Sequence, residues 1–133
     1  MEKANIFVAN DNSDFLELMR ELLHDEGYGV TVLHASEHAY TEIKHAAPDV
    51  VILDMTLEHP DDGWAILQLL KLDPSTAHIP VIICSADVIL LKERESQIRE
   101  MHCFVVEKPF DLDILLEAIR VGLRSAEQST PKA

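Results

Sequence analysis

Several things are scarce in this chain, and each scarcity closes off a class of protein. Its 133 residues hold two cysteines, Cys84 and Cys103, which share no CxxC spacing and are too few for a disulfide framework. Both are read as small buried hydrophobes. Basic residues are outnumbered, 11 Lys plus Arg against 24 Asp plus Glu, and a formal net charge of −13 repels the phosphates of nucleic acid. Phosphate chemistry on such a surface calls for a divalent cation. There are four glycines and no GxGxxG or glycine-rich phosphate loop, which removes the ordinary dinucleotide-binding reading of an α/β chain. No apolar run approaches a membrane span, and the start carries no basic segment followed by an apolar one. The expectation is a cytoplasmic protein with no membrane or nucleic-acid partner.

What is present is an alternation. Apolar, β-branched runs at 6–10, 30–34, 50–54, 81–85 and 104–107 are separated by helical patterns, the signature of a parallel sheet covered on both faces. Asn12 or Ser13 can cap a first helix carrying Phe15, Leu16, Met19, Leu22 and Leu23, with Gly27 placed to end it. Ser36 caps a second with Ala39, Tyr40, Ile43 and Ala47 inward, stopped by Pro48. A third is expected over 64–72. Asp87 caps a fourth, continuous through Ile89, Leu90, Ile98 and Met101, and Asp111 caps a fifth carrying Leu112, Leu115, Leu116, Ile119 and Leu123. The length suits one domain, 1–124, and the polar, aperiodic residues 125–133 read as a flexible tail.

Chemistry collects at the strand ends. Asn10-Asp11 follows the first run, Asp54 ends the third, Ser85 ends the fourth and Lys108-Pro109 follows the fifth. In open α/β sheets that carboxyl edge is where ligands bind. Taken singly, each has a plain alternative: an Asp after a strand is often a turn or cap residue, and Lys108 could be a solvated lysine. Seven histidines invite a metal reading, but His34 and His38 straddle a strand-to-helix break and the others are scattered, so all are assigned to the surface. Trp64 is read as a packing residue.

Together, Val8-Ala9-Asn10-Asp11, Pro48-Asp49-Val50-Val51-Ile52-Leu53-Asp54, Val81-Ile82-Ile83-Cys84-Ser85-Ala86 and Glu107-Lys108-Pro109-Phe110 resemble the bacterial response-regulator receiver domain over about residues 4 to 124. The resemblance implies a flavodoxin-like, doubly wound, five-stranded parallel sheet of order 2-1-3-4-5 with five helices. It makes Asp54 the phosphoacceptor, with Lys108 and Ser85 contacting the phosphoryl group. Mg²⁺ or Mn²⁺ would be held by Asp11, Asp54, the backbone carbonyl of Thr56 and, through water, Asn10. The Lys108-Pro109 bond is expected to be cis. The implied partners are a sensor histidine kinase or phosphotransfer protein, docking on the first helix, and a separate downstream protein contacting the fourth helix, fifth strand and last helix. Thr56 and Asp87 flank the site and are expected to tune the lifetime of the phosphate. The expectation is a stand-alone signalling protein, a monomer or weak dimer, and not a turnover enzyme.

The chain departs from the family at three points. Asn10 stands where an acid is usual, which is expected to lower Mg²⁺ affinity. The loop after Asp54 is one residue longer, displacing Pro60 and Asp62-Gly63. Val105 occupies the usual aromatic switch position, and period two along a strand sends Phe104 to the opposite face. Asn10 and Val105 keep open a rival reading, a receiver-like binding module that is never phosphorylated. A second rival, an aspartate-nucleophile phosphatase, wants a further Asp two positions after the first, where this chain has Thr56.

Overall fold

The structure is a computed structural model, and it describes residues 3–34, 37–55, 62–108 and 111–129. Five strands, β1 (Asn5–Ala9), β2 (Gly29–Leu33), β3 (Val50–Asp54), β4 (Val81–Ser85) and β5 (Phe104–Glu107), form one parallel sheet in the order β2-β1-β3-β4-β5. Between them run α1 (Ser13–Asp25), α2 (Ala39–Ala46), α3 (Asp62–Leu72), α4 (Val88–Glu93), α5 (Glu95–Glu100) and α6 (Leu112–Ser129). The strand order and the flavodoxin-like architecture are those expected.

Side-chain period two divides the core in two. Ile6, Val8, Val50, Ile52, Ile82, Cys84 and Val106 face Leu16, Met19 and Leu23 of α1 and Leu115, Leu116 and Ile119 of α6. Phe7, Ala9, Val51, Leu53, Val81 and Ile83 face Ile43 of α2, Leu67 and Leu70 of α3, Leu91 of α4 and Ile98 of α5. Every residue of β3 and β4 is buried, as their unbroken apolar runs require, whereas β2 and β5 are half-exposed edges. Each fully buried Leu or Ile contributes about 1.5–3 kcal/mol relative to exposure.

Local signals set several ends. The Asn12 side chain accepts from the Phe15 N–H and caps α1, and the Asp87 side chain accepts from the Leu90 N–H and caps α4. Gly27, at φ +92°, supplies the left-handed turn after α1. Ser36 lies outside the described residues. At the far end of α3, Asp73 fastens α2: Tyr40 Oη and Lys44 Nζ both donate to its carboxylate, the lysine at 2.8 Å.

Two expectations need correction. The single fourth helix is two helices, interrupted at Arg94 (φ −105°, ψ 10°), although Lys92-Glu93-Arg94-Glu95 contains no breaker. The interruption coincides with a tertiary contact, the Arg94 guanidinium lying 4.4 Å from the centroid of the Trp64 ring. Residues 125–129, assigned to a flexible tail, instead continue α6 to Ser129, and residues 130–133 lie outside the described residues. Arg124 and Arg120 both pair with Glu117 on its surface.

Candidate functional site

Strand register brings the chemistry together. Asp54 ends β3 on the face shared with Val50 and Ile52, so its carboxylate points toward α1 and α6 at the carboxyl edge of the sheet; it is 5% exposed. Asn10 follows β1 next to it and is 3% exposed. Its Nδ2 donates to Asp54 Oδ2 at 3.1 Å, while its Oδ1 accepts from the Asn12 N–H at 2.9 Å. Lys108 reaches in from the end of β5, where its own N–H donates to the Ser85 carbonyl at 2.9 Å and ties the ends of β4 and β5 together. Its Nζ donates to the same Asp54 Oδ2 at 2.8 Å. A buried carboxylate with two donors on one oxygen satisfies the requirement that a buried charge be paired and hydrogen-bonded.

Ser85 is buried, and its Oγ accepts from the Asp87 N–H at 3.0 Å. Ala86 rather than Ser85 lines the cleft above Asp54. That cleft, about 740 Å³, is shared by Asp11, Asn12, Phe15, Leu18 and Leu112, so Asp11 does face the site. Thr56 and Pro109 lie outside the described residues, and with them the expected carbonyl ligand, the cis bond and most of the lengthened loop.

Three contributions were not foreseen from the sequence. The ring of Phe15, expected only as a core position, has Lys108 Nζ 5.5 Å from its centroid. Gly63 opens α3 against the site: a Cβ there would meet the Asp54 carbonyl oxygen at 2.3 Å and Met55 Cα at 2.4 Å. Cys84 is the register neighbour of Asp54, and burial pushes its thiol up to about 12 against the opposing pull of Lys108, so it is no nucleophile at neutral pH. The alternation that separated Val105 from Phe104 is as expected. Val105 faces solvent beside Val88 and Glu107, and Phe104 packs inward, its Cε2 3.6 Å from where a Cβ on Gly122 would lie.

Among the described residues, no three His, Cys, Asp or Glu are grouped to hold a metal. The donors at the carboxyl edge are all oxygens, two carboxylates and an amide, a set that suits a hard cation such as Mg²⁺. Trp64 is 6% exposed and packs in the core, as expected.

Residues 6–120 match the response regulator receiver domain family. The chain belongs to that family. This receiver is 28% identical over 120 residues to the transcriptional regulatory protein TrcR of Mycobacterium tuberculosis, covering 90% of the chain and 45% of that protein. It is 30% identical over 125 residues to the uncharacterized transcriptional regulatory protein YkoG of Bacillus subtilis, covering 93% of the chain and 53% of that protein. Among solved structures, NtrX from Brucella abortus aligns with a TM-score of 0.80 at 28% identity, over 96% of this chain and 28% of that one. A CheY-like receiver domain protein from Methanospirillum hungatei aligns at 0.83 and 21% identity, over 97% and 100%, a likeness of fold. The receiver spans about half the length, or less, of the curated relatives it matches. Receivers are the phosphoaccepting domains of two-component signalling. No helix among the described residues is long and apolar enough to cross a membrane.

Proposed function

We propose that Asp54 accepts a phosphoryl group from a phosphohistidine of a sensor histidine kinase or phosphotransfer protein. A carboxylate oxygen attacks phosphorus, the P–N bond breaks, and the imidazole nitrogen keeps the bonding pair. The observation that carries this is the convergence of Lys108 and Asn10 on the buried Asp54 carboxylate at the edge of the sheet. Phosphoryl transfer asks for positioning and charge neutralisation, and the Lys108 ammonium, steadied beside Phe15, provides both. The Ser85 hydroxyl, an acceptor toward Asp87, keeps its proton to donate to a phosphoryl oxygen. Asp11 and Asp54 would hold a Mg²⁺ or Mn²⁺, with the Thr56 carbonyl and, through water, Asn10, and the cation would supply charge neutralisation when bound. Asp87, two residues after Ser85, and Thr56, two residues after Asp54 in the chain, set the lifetime of the acyl phosphate.

The protein changes only itself, so the output passes through protein contacts. Val88, Ile89 and Val105 are exposed apolar residues on the α4 and β5 side and suit a downstream protein partner, while the cleft beside α1 suits the donor. It acts as a cytoplasmic receiver, monomeric or weakly dimeric, and its mass in a native lysate checks the oligomeric state.

Acetyl phosphate and Mg²⁺ provide the test, read as intact mass. One added phosphoryl group, lost in Asp54→Asn, is the expected result, and an unmodified mass in the wild type sinks the proposal. The second reading, a binding module of the same fold, draws on Asn10 and Val105 and predicts that unmodified mass.

A further inference from the structure

Position 10 does more here than fill the place of a usual acid. Its amide is fixed by the chain that follows it: the Asn12 N–H donates to Oδ1 at 2.9 Å, which aims the Nδ2 hydrogens at Asp54 Oδ2, 3.1 Å away. Asn12 is itself held as the cap of α1. Both Asn10 and Asp54 are almost fully buried. An ionised carboxylate at position 10 has no proton to give and would place two like charges side by side at two nearly buried positions. Repulsion of that kind is what a divalent cation relieves.

We propose that Asn10 is an internal substitute for part of the cation's charge. Its amide and Lys108 together hold the Asp54 carboxylate, so that a Mg²⁺ held by Asp11 and Asp54 would compete with an existing hydrogen bond and have one repulsion fewer to relieve. Position 10 thereby sets how far this receiver depends on divalent cation, for its stability as well as its chemistry. The inference rests on the cation-assisted reading of the site above. Its test reads unfolding and binding heat, so it can fail while Asp54 is still phosphorylated, and hold while it is not.

The proteins compared are wild type, Asn10→Asp, and Asn10→Asp combined with Asp54→Asn. Each is unfolded thermally in EDTA and in magnesium chloride, and titrated calorimetrically with Mg²⁺. Wild type is expected to unfold at nearly the same temperature in both conditions. Asn10→Asp should lose roughly 5 °C or more in EDTA and recover with Mg²⁺. Its Mg²⁺ dissociation constant should be tighter than wild type by about tenfold or more. The double variant should regain the EDTA stability, because the amide now at position 54 donates back to the carboxylate at position 10. Equal EDTA stability in wild type and Asn10→Asp overturns the proposal, as does a wild-type Tm that climbs with Mg²⁺ as steeply as the variant's. If Asn10→Asp does not fold in EDTA, the double variant decides: restored folding supports charge repulsion as the cause, and continued failure refutes it.

Discussion

The two ends of β5 stand in contrast. Lys108, just past its end, is locked into a buried network with Asp54, Asn10 and the Ser85 backbone. Val105, three residues earlier, is 42% exposed beside two six-residue helices that meet at an interruption. Dense burial and paired polar groups make the acceptor rigid, and sparse packing with exposed apolar side chains leaves the α4–α5 side at the low-stability end of the fold. On the proposed function, acceptance chemistry and readout should therefore be separable, with substitutions in one region leaving the other measurable.

The largest effect expected is complete loss of acetyl-phosphate labelling in Asp54→Asn with the fold retained, checked by intact mass and circular dichroism. Next comes Lys108→Ala. It should slow phosphorylation by roughly 10²-fold or more, measured as a single-turnover rate, because a donor aimed at the developing charge is removed. A fall in Tm should accompany it, because the buried Asp54 carboxylate loses its cationic partner. Gly63→Val joins the two regions through α3: its Cβ would overlap the Asp54 and Met55 backbone, which cannot give way as a flexible side chain would. A loss of about 2–4 kcal/mol in denaturant unfolding is expected. If Gly63→Val is as stable as wild type, the close approach of α3 to the acceptor is wrong.

Smaller effects sharpen the contrast on the readout side. Arg94→Ala removes the guanidinium from the Trp64 ring and should cost about 0.5–1 kcal/mol in denaturant unfolding, with a shift in emission from the single tryptophan. Labelling of Asp54 should persist; its loss would show that the regions are not separable.

The smallest effect is at Asp73, whose carboxyl is held well below the usual carboxylate range, first by the hydrogen bond from Lys44 and then by that from Tyr40. Its folded value is depressed, so its contribution is complete above the unfolded carboxylate value of roughly 3.9 and disappears as pH falls through the folded value. The Tm difference between wild type and Asp73→Asn should be constant near neutrality and shrink in acid, as a series of melts would show. A difference that grows on acidification would reverse the assignment.

The sequence by itself determined the strand runs and a parallel sheet covered on both faces, because unbroken apolar runs alternating with helical patterns require that cover, while the strand order and the grouping of the edge residues came from the family resemblance. Asn12 and Asp87 were legible as caps for the same local reason. The opposite faces of Phe104 and Val105 followed from alternation alone. Only the tertiary structure decided how the edge is wired. Nothing near Asn10 in the chain says that its amide donates to a carboxylate 44 residues away, or that Phe15 lies beside Lys108. The interruption at Arg94 was hidden because its surroundings favour helix, and what accompanies it is a ring on another element. Gly63 showed its purpose only once α3 lay against β3. Local signals end elements; contacts between distant residues, which propensity does not carry, assign the chemistry.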